Sequence, residues 1–125
     1  MIYGIGIDIV DIDRFRKAYA KIGDSFLKKI FTDRELSFSE NKKNRLEHLS
    51  GKFAAKEAVK KSLPEGARIG LAWYEIEILN GADGKPYVEL HGEAEKIKQE
   101  NNIKTVFVSI SHAAETAVAN AIAEG

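Results

Sequence analysis

Residues 2–22, IYGIGIDIVDIDRFRKAYAKI, change their hydrophobic period halfway along, and that change decides the fold class. Up to Val10 the chain alternates: Tyr3, Ile5, Ile7 and Ile9 share one face, and Gly4, Gly6 and Asp8 share the other, the period of two that a strand imposes. From Asp11 onward Phe15, Ala18, Tyr19 and Ile22 recur at the spacing of a core-facing helix stripe, which Asp11 or Asp13 is placed to cap. The second face of the strand is unusual. Glycine weakens a strand and aspartate is disfavoured in one, so Gly4 and Gly6 beside Asp8 predict the close approach of another backbone or a ligand.

Outward from this stretch, Thr32, Asp33, Arg34 and Glu35 spell a capping box that opens a short helix. A longer helix is expected from about Arg45 to Leu63, stopped by Pro64 and Gly66. Tyr74, Ile76 and Ile78 alternate with Glu75 and Glu77, the turn Gly81-Ala82-Asp83-Gly84 follows, and Tyr87 to Leu90 resumes extended chain, so a hairpin is expected. Glu93 to Asn101 reads as a polar helix and Thr105 to Ser111 as a strand. In the final stretch, Thr116 to Ala123, alanines at 117, 119, 121 and 123 alternate with other residues; alanine also suits a helix, but the alternation favours a strand. The order of elements is α+β: a single domain over residues 1–125, with an antiparallel sheet packed against a long central helix.

The chain of 125 residues is 44% hydrophobic and 30% charged, which suits one ordinary core. No apolar run approaches the roughly 18 residues of a membrane helix. The start, MIYGIGIDIV, lacks a basic leader and a small-residue cleavage site, so a cytoplasmic protein is expected. With no cysteine, disulfides, zinc thiolates and thiol nucleophiles are excluded, and any metal must be held by oxygen or imidazole ligands. Nineteen Lys and Arg balance nineteen Asp and Glu, so no global field draws the chain to nucleic acid. A charged partner needs a local patch.

Several residues invite chemistry, and each has an ordinary reading beside it. Asp8 either serves a site or merely ends its strand and caps the next helix. In GKFAAKEAVKKSL, residues 51–63, Phe53, Glu57 and Lys61 fall four apart on one helix face. A carboxylate beside a cation suits a metal–phosphate site, and it is also a common surface ion pair. Ser109, Ser111 and His112 at a strand end suggest a hydrolase, but no GxSxG elbow surrounds either serine; the imidazole could instead contact phosphate. The turn GADGKP, residues 81–86, could cradle an anion with its amides and Lys85, or simply reverse the chain. Arg14, Lys17 and Lys21 form a basic stripe on the first helix, suited to an acidic helix or to solvent.

Taken in order, GIGIDIVDIDR at 4–14, FTDRE at 31–35, GKFAAKEAVKKSL at 51–63, GKP at 84–86 and SISH at 109–112 resemble the successive motifs of the holo-acyl-carrier-protein synthase family of 4'-phosphopantetheinyl transferases, in its bacterial form. The resemblance covers nearly the whole chain. It implies the 4'-phosphopantetheinyl transferase fold and transfer of 4'-phosphopantetheine from coenzyme A to a serine of apo acyl carrier protein, releasing 3',5'-ADP, in fatty acid biosynthesis. On the matching positions, Asp8 and Glu57 would hold Mg2+ and Lys61 would neutralise phosphate oxygens. Lys52, His112, Asp83, Gly84, Lys85 and Pro86 would contact coenzyme A. Arg14, helped by Lys17 and Lys21, would meet the acidic helix of the carrier protein. The family further implies a homotrimer with an active site at each subunit boundary.

Three positions depart from the family pattern. Lys52 stands where arginine is usual, which loses the bidentate fork. Ser62-Leu63-Pro64 replaces Ala-Leu-Gly at the end of the helix, and Ala113 replaces a hydroxyl residue after the histidine. The serine's base stays open among Glu57, Glu35 and a water on the metal. A non-catalytic carrier-protein or nucleotide-binding module is the alternative; it would keep the stripe and the turn but have no need of Asp8 and Glu57 together.

Overall fold

The computed structural model describes residues 1–125, the side chain of Arg68 excepted. Its elements are β1 (Ile2–Asp11), α1 (Ile12–Ile22), α2 (Asp24–Ile30), α3 (Asp33–Ser39), α4 (Arg45–Ser62), α5 (Ala67–Gly70), a 3-10 turn (Trp73–Glu75), β2 (Ile76–Asn80), β3 (Pro86–Leu90), α6 (Gly92–Glu100), β4 (Thr105–Ala113) and β5 (Thr116–Glu124). β1, β5 and β4 form an antiparallel sheet in that order, while β2 and β3 pair as a separate ribbon. The alternating alanines are indeed a strand.

Packing of the sheet against α4 rests on small side chains. The register sets Gly4 beside Ala123, Gly6 beside Ala121, Asp8 beside Ala119 and Val10 beside Ala117. The four β5 alanines are buried, as are Ala54, Ala55 and Ala58 of α4. A Cβ on Gly6 would lie 1.9 Å from the carbonyl oxygen of Ala58, and one on Gly4 would lie 2.3 Å from that of Ser62. The close approach expected at the glycines is therefore made by the backbone of α4. Tyr3, Ile5, Ile7 and Ile9 occupy the opposite face of the sheet, where Ile5 is 65% and Ile9 67% exposed.

Around this contact the local signals act as expected. Asp11 caps α1 by accepting from the Arg14 amide at 3.2 Å. Thr32 and Glu35 close the capping box of α3. Three details differ from the sequence reading. Tyr74 and Glu75, expected in the first hairpin strand, lie in the 3-10 turn, and β2 begins at Ile76. Ile22, the last residue of α1, is 55% exposed, whereas Ile12 at the start of the helix is buried. α2 itself, only seven residues long, carries too little periodicity to announce itself.

Because the strand meets helix carbonyls rather than side chains, an added methyl has nowhere to go. Gly6→Ala is expected to destabilise the protein by about 3 kcal/mol. Gly66→Ala, where φ is −62° and nothing lies within 4 Å of the new Cβ, should change stability by less than about 0.5 kcal/mol. Denaturant unfolding of both variants measures the contrast.

Candidate active site

α4 is charged yet largely buried, and the four residues Lys56, Glu57, Lys60 and Lys61 show how that is achieved. Lys56 is fully buried. Its ammonium donates to Glu35 Oε1 at 2.7 Å, to the Ile76 carbonyl at 2.6 Å and to the Trp73 carbonyl at 3.1 Å, which uses all three of its protons. Burial draws its pKa down and Glu35 opposes that. Glu35 is equally enclosed: it also accepts from the Ile78 amide at 2.8 Å and the Thr32 amide at 2.8 Å. A carboxylate so fully engaged is no candidate for the base, which removes one of the options left open by the sequence.

Glu57 and Lys61 face the other way, toward β1. Lys61 Nζ donates to Asp8 Oδ1 at 3.1 Å and to the Ile7 carbonyl at 2.9 Å. Asp8 is on the glycine face, so the approach of β1 to α4 delivers it to this helix. Asp8 and Glu57 both line a groove of about 810 Å³ that also exposes Arg14, Phe26, Phe53 and Trp73. The structure thus sets Lys61 on Asp8, and places Asp8, Glu57 and Arg14 along the same groove. Two carboxylates of one open groove match the all-oxygen ligand set that magnesium takes, and the adjoining cations suit a diphosphate.

The other predicted residues lie elsewhere in the chain. His112 is on the α4-facing side of β4, its Nε2 3.0 Å from the Glu47 carbonyl oxygen and close enough to Gly51 that a Cβ there would come within 2.8 Å of it. Ser109 and Ser111 alternate onto the opposite face, so the three do not form a hydrolase constellation. Lys52 is 1% exposed; its ammonium sits 4.8 Å from the Phe38 ring centroid and has no hydrogen-bond partner among the described residues. Burial lowers its pKa to about 8, and the same cause takes neighbouring His48 to about 4. Asp83, Gly84, Lys85 and Pro86 form the β2–β3 end. There Asp83 Oδ1 accepts from the Lys85 amide at 3.0 Å and Gly84 takes a φ of 83°. On α1, Arg14, Lys17 and Lys21 are all exposed, but Lys17 is paired with Asp13 at 2.9 Å, so the stripe is partly neutralised within its own helix.

The sequence reading missed Trp73, Phe26 and Lys29 in the groove, and it missed Arg16, which ties α1 to Glu47 at 2.6 Å and Glu115 at 2.7 Å. The groove residues come from α2 and the 3-10 turn, elements too short to carry a pattern. A different acidic group, Glu77, Glu89 and His91, has the proximity a metal needs. Here Arg34 already bridges Glu77 and Glu89, and Thr32 and His91 bond Glu77 as well. Burial alone would push the Glu77 carboxyl up, but the hydrogen bonds from Arg34, Thr32 and His91 outweigh it and hold it at about 2. The group is a paired network that fastens α3 to the ribbon.

The chain is similar to known proteins over nearly its whole length. The family model of the 4'-phosphopantetheinyl transferase superfamily matches residues 4–119. A holo-[acyl-carrier-protein] synthase of Alkaliphilus oremlandii is 47% identical, over 98% of this chain and 99% of its own. The crystal structure of the holo-[acyl-carrier-protein] synthase of Neisseria meningitidis superposes with a TM-score of 0.87 at 32% identity, covering 100% of both chains. The synthase–CoA complex of Chronobacterium ammoniagenes superposes with a TM-score of 0.81 at 30% identity, over 97% of this chain and 96% of the other.

The Glu77 network has a pH signature. Its carboxyl has a lower pKa folded than the ordinary 4.5, so the stability it adds is complete above pH 4.5 and is lost as pH falls toward about 2. Glu77→Gln is expected to be less stable than the parent by roughly 3 kcal/mol at pH 7, with the gap narrowing between pH 4.5 and 2. A gap that stayed constant over that window in denaturant unfolding would contradict the assignment.

Proposed function

The chain belongs to the 4'-phosphopantetheinyl transferase superfamily and transfers 4'-phosphopantetheine from coenzyme A to apo acyl carrier protein; we propose that it does so as a magnesium-dependent enzyme, with Asp8 and Glu57 as the protein's ligands to the ion. The observation that carries this reading is that Asp8 and Glu57 line one groove, delivered by two different elements, with Lys61 bonded to Asp8. The donor set fits the ion: carboxylate oxygens only, with room beside them for water and phosphate oxygens. When bound, magnesium supplies positive charge to the diphosphate as its negative charge redistributes.

The chain's own residues do the rest by position and charge. The reaction forms a bond between the carrier serine oxygen and the pantetheine-side phosphorus and breaks the diphosphate bridge, releasing 3',5'-ADP. Lys61, anchored by the Ile7 carbonyl and Asp8, offers its ammonium to the phosphate oxygens that carry that charge. Glu35, enclosed and fully hydrogen-bonded, is not the base for the serine proton. Arg14 stands at the rim of the same groove and receives the acidic helix of the carrier protein, with Lys21 exposed on the same stripe. Lys17 contributes less, because Asp13 already holds it.

His112 and residues 83–86 belong to the coenzyme A site of this reading, although in one chain they lie away from the groove; Lys52, expected there from the sequence, is enclosed beneath Phe38 and does not reach the substrate. A homotrimer with its sites at the subunit boundaries accounts for both facts. It also supplies a cover for Ile5, Ile7, Ile9 and Phe107, each more than 50% exposed on the open face of the sheet. Coenzyme A and carrier protein as substrates place the reaction in the cytoplasm. No described helix is long and apolar enough to cross a membrane.

Asp8→Asn and Glu57→Gln should fold normally and lose about a hundredfold or more of transfer, read as phosphopantetheine adduct on apo carrier protein by intact mass. Chelation should abolish transfer and magnesium restore it; a rate indifferent to chelator would remove the metal. Arg14→Glu is expected to raise the KM for carrier protein about tenfold and flatten its salt dependence, leaving the KM for coenzyme A nearly unchanged. A defect confined to coenzyme A would move the carrier site elsewhere.

A further inference from the structure

The one tryptophan of the chain, Trp73, lies outside every motif of the sequence, yet its indole Nε1 donates a hydrogen bond to Glu57 Oε1. An indole has one N–H and no acceptor, so the direction of the ring fixes where that proton points. Here the ring is braced. The Phe53 ring packs against it edge-on, with centroids 5.6 Å apart and planes at 66°, and the Lys60 ammonium sits 5.0 Å from its centroid. The backbone beneath is held by Lys56, which donates to the Trp73 carbonyl. Phe53, Lys56, Glu57 and Lys60 all belong to α4, so the helix that presents the carboxylate also fixes the residue that grips it.

The turn does not need the indole bond for its own integrity. Glu75 already closes it by accepting from the Ala72 amide at 2.8 Å and ties it to α6 by accepting from the Glu93 amide at 2.8 Å. What the indole bond does restrict is Glu57. The last torsion of a glutamate is broad, so an unheld carboxylate at a groove samples many orientations. Carboxylates that ligate metals work best when a neighbour fixes them.

We propose that Trp73 is a positioning residue for Glu57: its N–H occupies Oε1 and leaves Oε2 turned to the groove as the oxygen offered to magnesium. This rests on the reading of Glu57 as a ligand. It adds that the 3-10 turn before the ribbon is part of the active site. Trp73 touches neither the phosphate nor the serine; it acts through Glu57.

The test is Trp73→Phe, which keeps an aromatic ring for Phe53 and Lys60 and removes the pyrrole ring with its N–H. Calorimetric titration of magnesium chloride, with coenzyme A saturating and carrier protein absent, should show affinity lowered about tenfold, the scale of one lost hydrogen bond to a charged group. In steady state the magnesium half-saturation should rise in parallel and kcat fall, with the KM for carrier protein unchanged and thermal unfolding close to the parent's. In the parent, emission from the single tryptophan should shift along the same magnesium titration, and Glu57→Gln should abolish that shift. Parent-like magnesium affinity and kcat in Trp73→Phe would overturn the proposal, as would an emission shift that survives in Glu57→Gln. A purely structural Trp73 would instead lower the unfolding midpoint and raise every KM together, which also overturns it. If Asp8→Asn and Glu57→Gln transfer normally, the ligand assignment falls and this inference falls with it. If those two are impaired while Trp73→Phe is not, only the role of Trp73 is lost.

Discussion

Everything at the candidate site depends on how closely β1 lies on α4. Gly4 and Gly6 face the carbonyls of Ser62 and Ala58 across a gap that would not admit a methyl group. The neighbouring strand continues the same thin surface with alanines at 117, 119, 121 and 123. Asp8 is the next residue along that face, and at this separation its carboxylate reaches Lys61, one turn after Glu57 on the helix. A side chain of ordinary size at Gly4 or Gly6 would lift the strand and draw the two carboxylates apart. The glycines thus set how close Asp8 comes to α4.

The second constraint is the Lys56–Glu35 pair, buried to 0% exposure on both sides. Buried ion pairs are poor evidence of stability in themselves, because the desolvation of two charges offsets their attraction. Satisfaction of every proton and both oxygens is what makes this one tolerable, and its partners are distributed so that it joins four segments: α3, α4, the 3-10 turn and β2. Along α4 the charged residues then divide by direction. Lys56 points to the ribbon, Lys60 to the indole of Trp73, Glu57 to the groove and Lys61 to β1. A helix that looked in sequence like a solvated, ion-paired face is instead wrapped by partners on nearly every side.

How much of this could be read from the sequence follows from the range of each signal. Alternation in Gly4 to Asp8, the Thr32–Glu35 box, the stop at Pro64 and the alternating alanines are local, and each predicted its element. Signals that depend on distant partners were invisible. Nothing near Glu35 announces Lys56, nothing near Trp73 announces Glu57, and the burial of Lys52 under Phe38 comes from the packing of α3 on α4. Ser109, Ser111 and His112 failed as a group for the simplest local reason, since a strand sends neighbours to opposite faces. Ile22 failed because a helix pattern says which residues share a stripe but not where the covering element ends.

The same glycines that bring Asp8 to the helix also account for the open face of the sheet. With a side-chain period of two, β1 cannot place glycine against α4 without sending Tyr3, Ile5, Ile7 and Ile9 outward, and a slip of one residue would drive isoleucine into helix backbone that has no room for it. The apolar stripe is therefore a geometric consequence of the site and not an independent feature. A chain of this size that leaves such a stripe beside Phe107 of β4 presents a surface suited to association. Its register is fixed by the residues that fix the carboxylates. Any partner seated on that stripe would therefore be held in a constant relation to Asp8, which is the condition for a site to be completed from a second chain without a flexible linker between them.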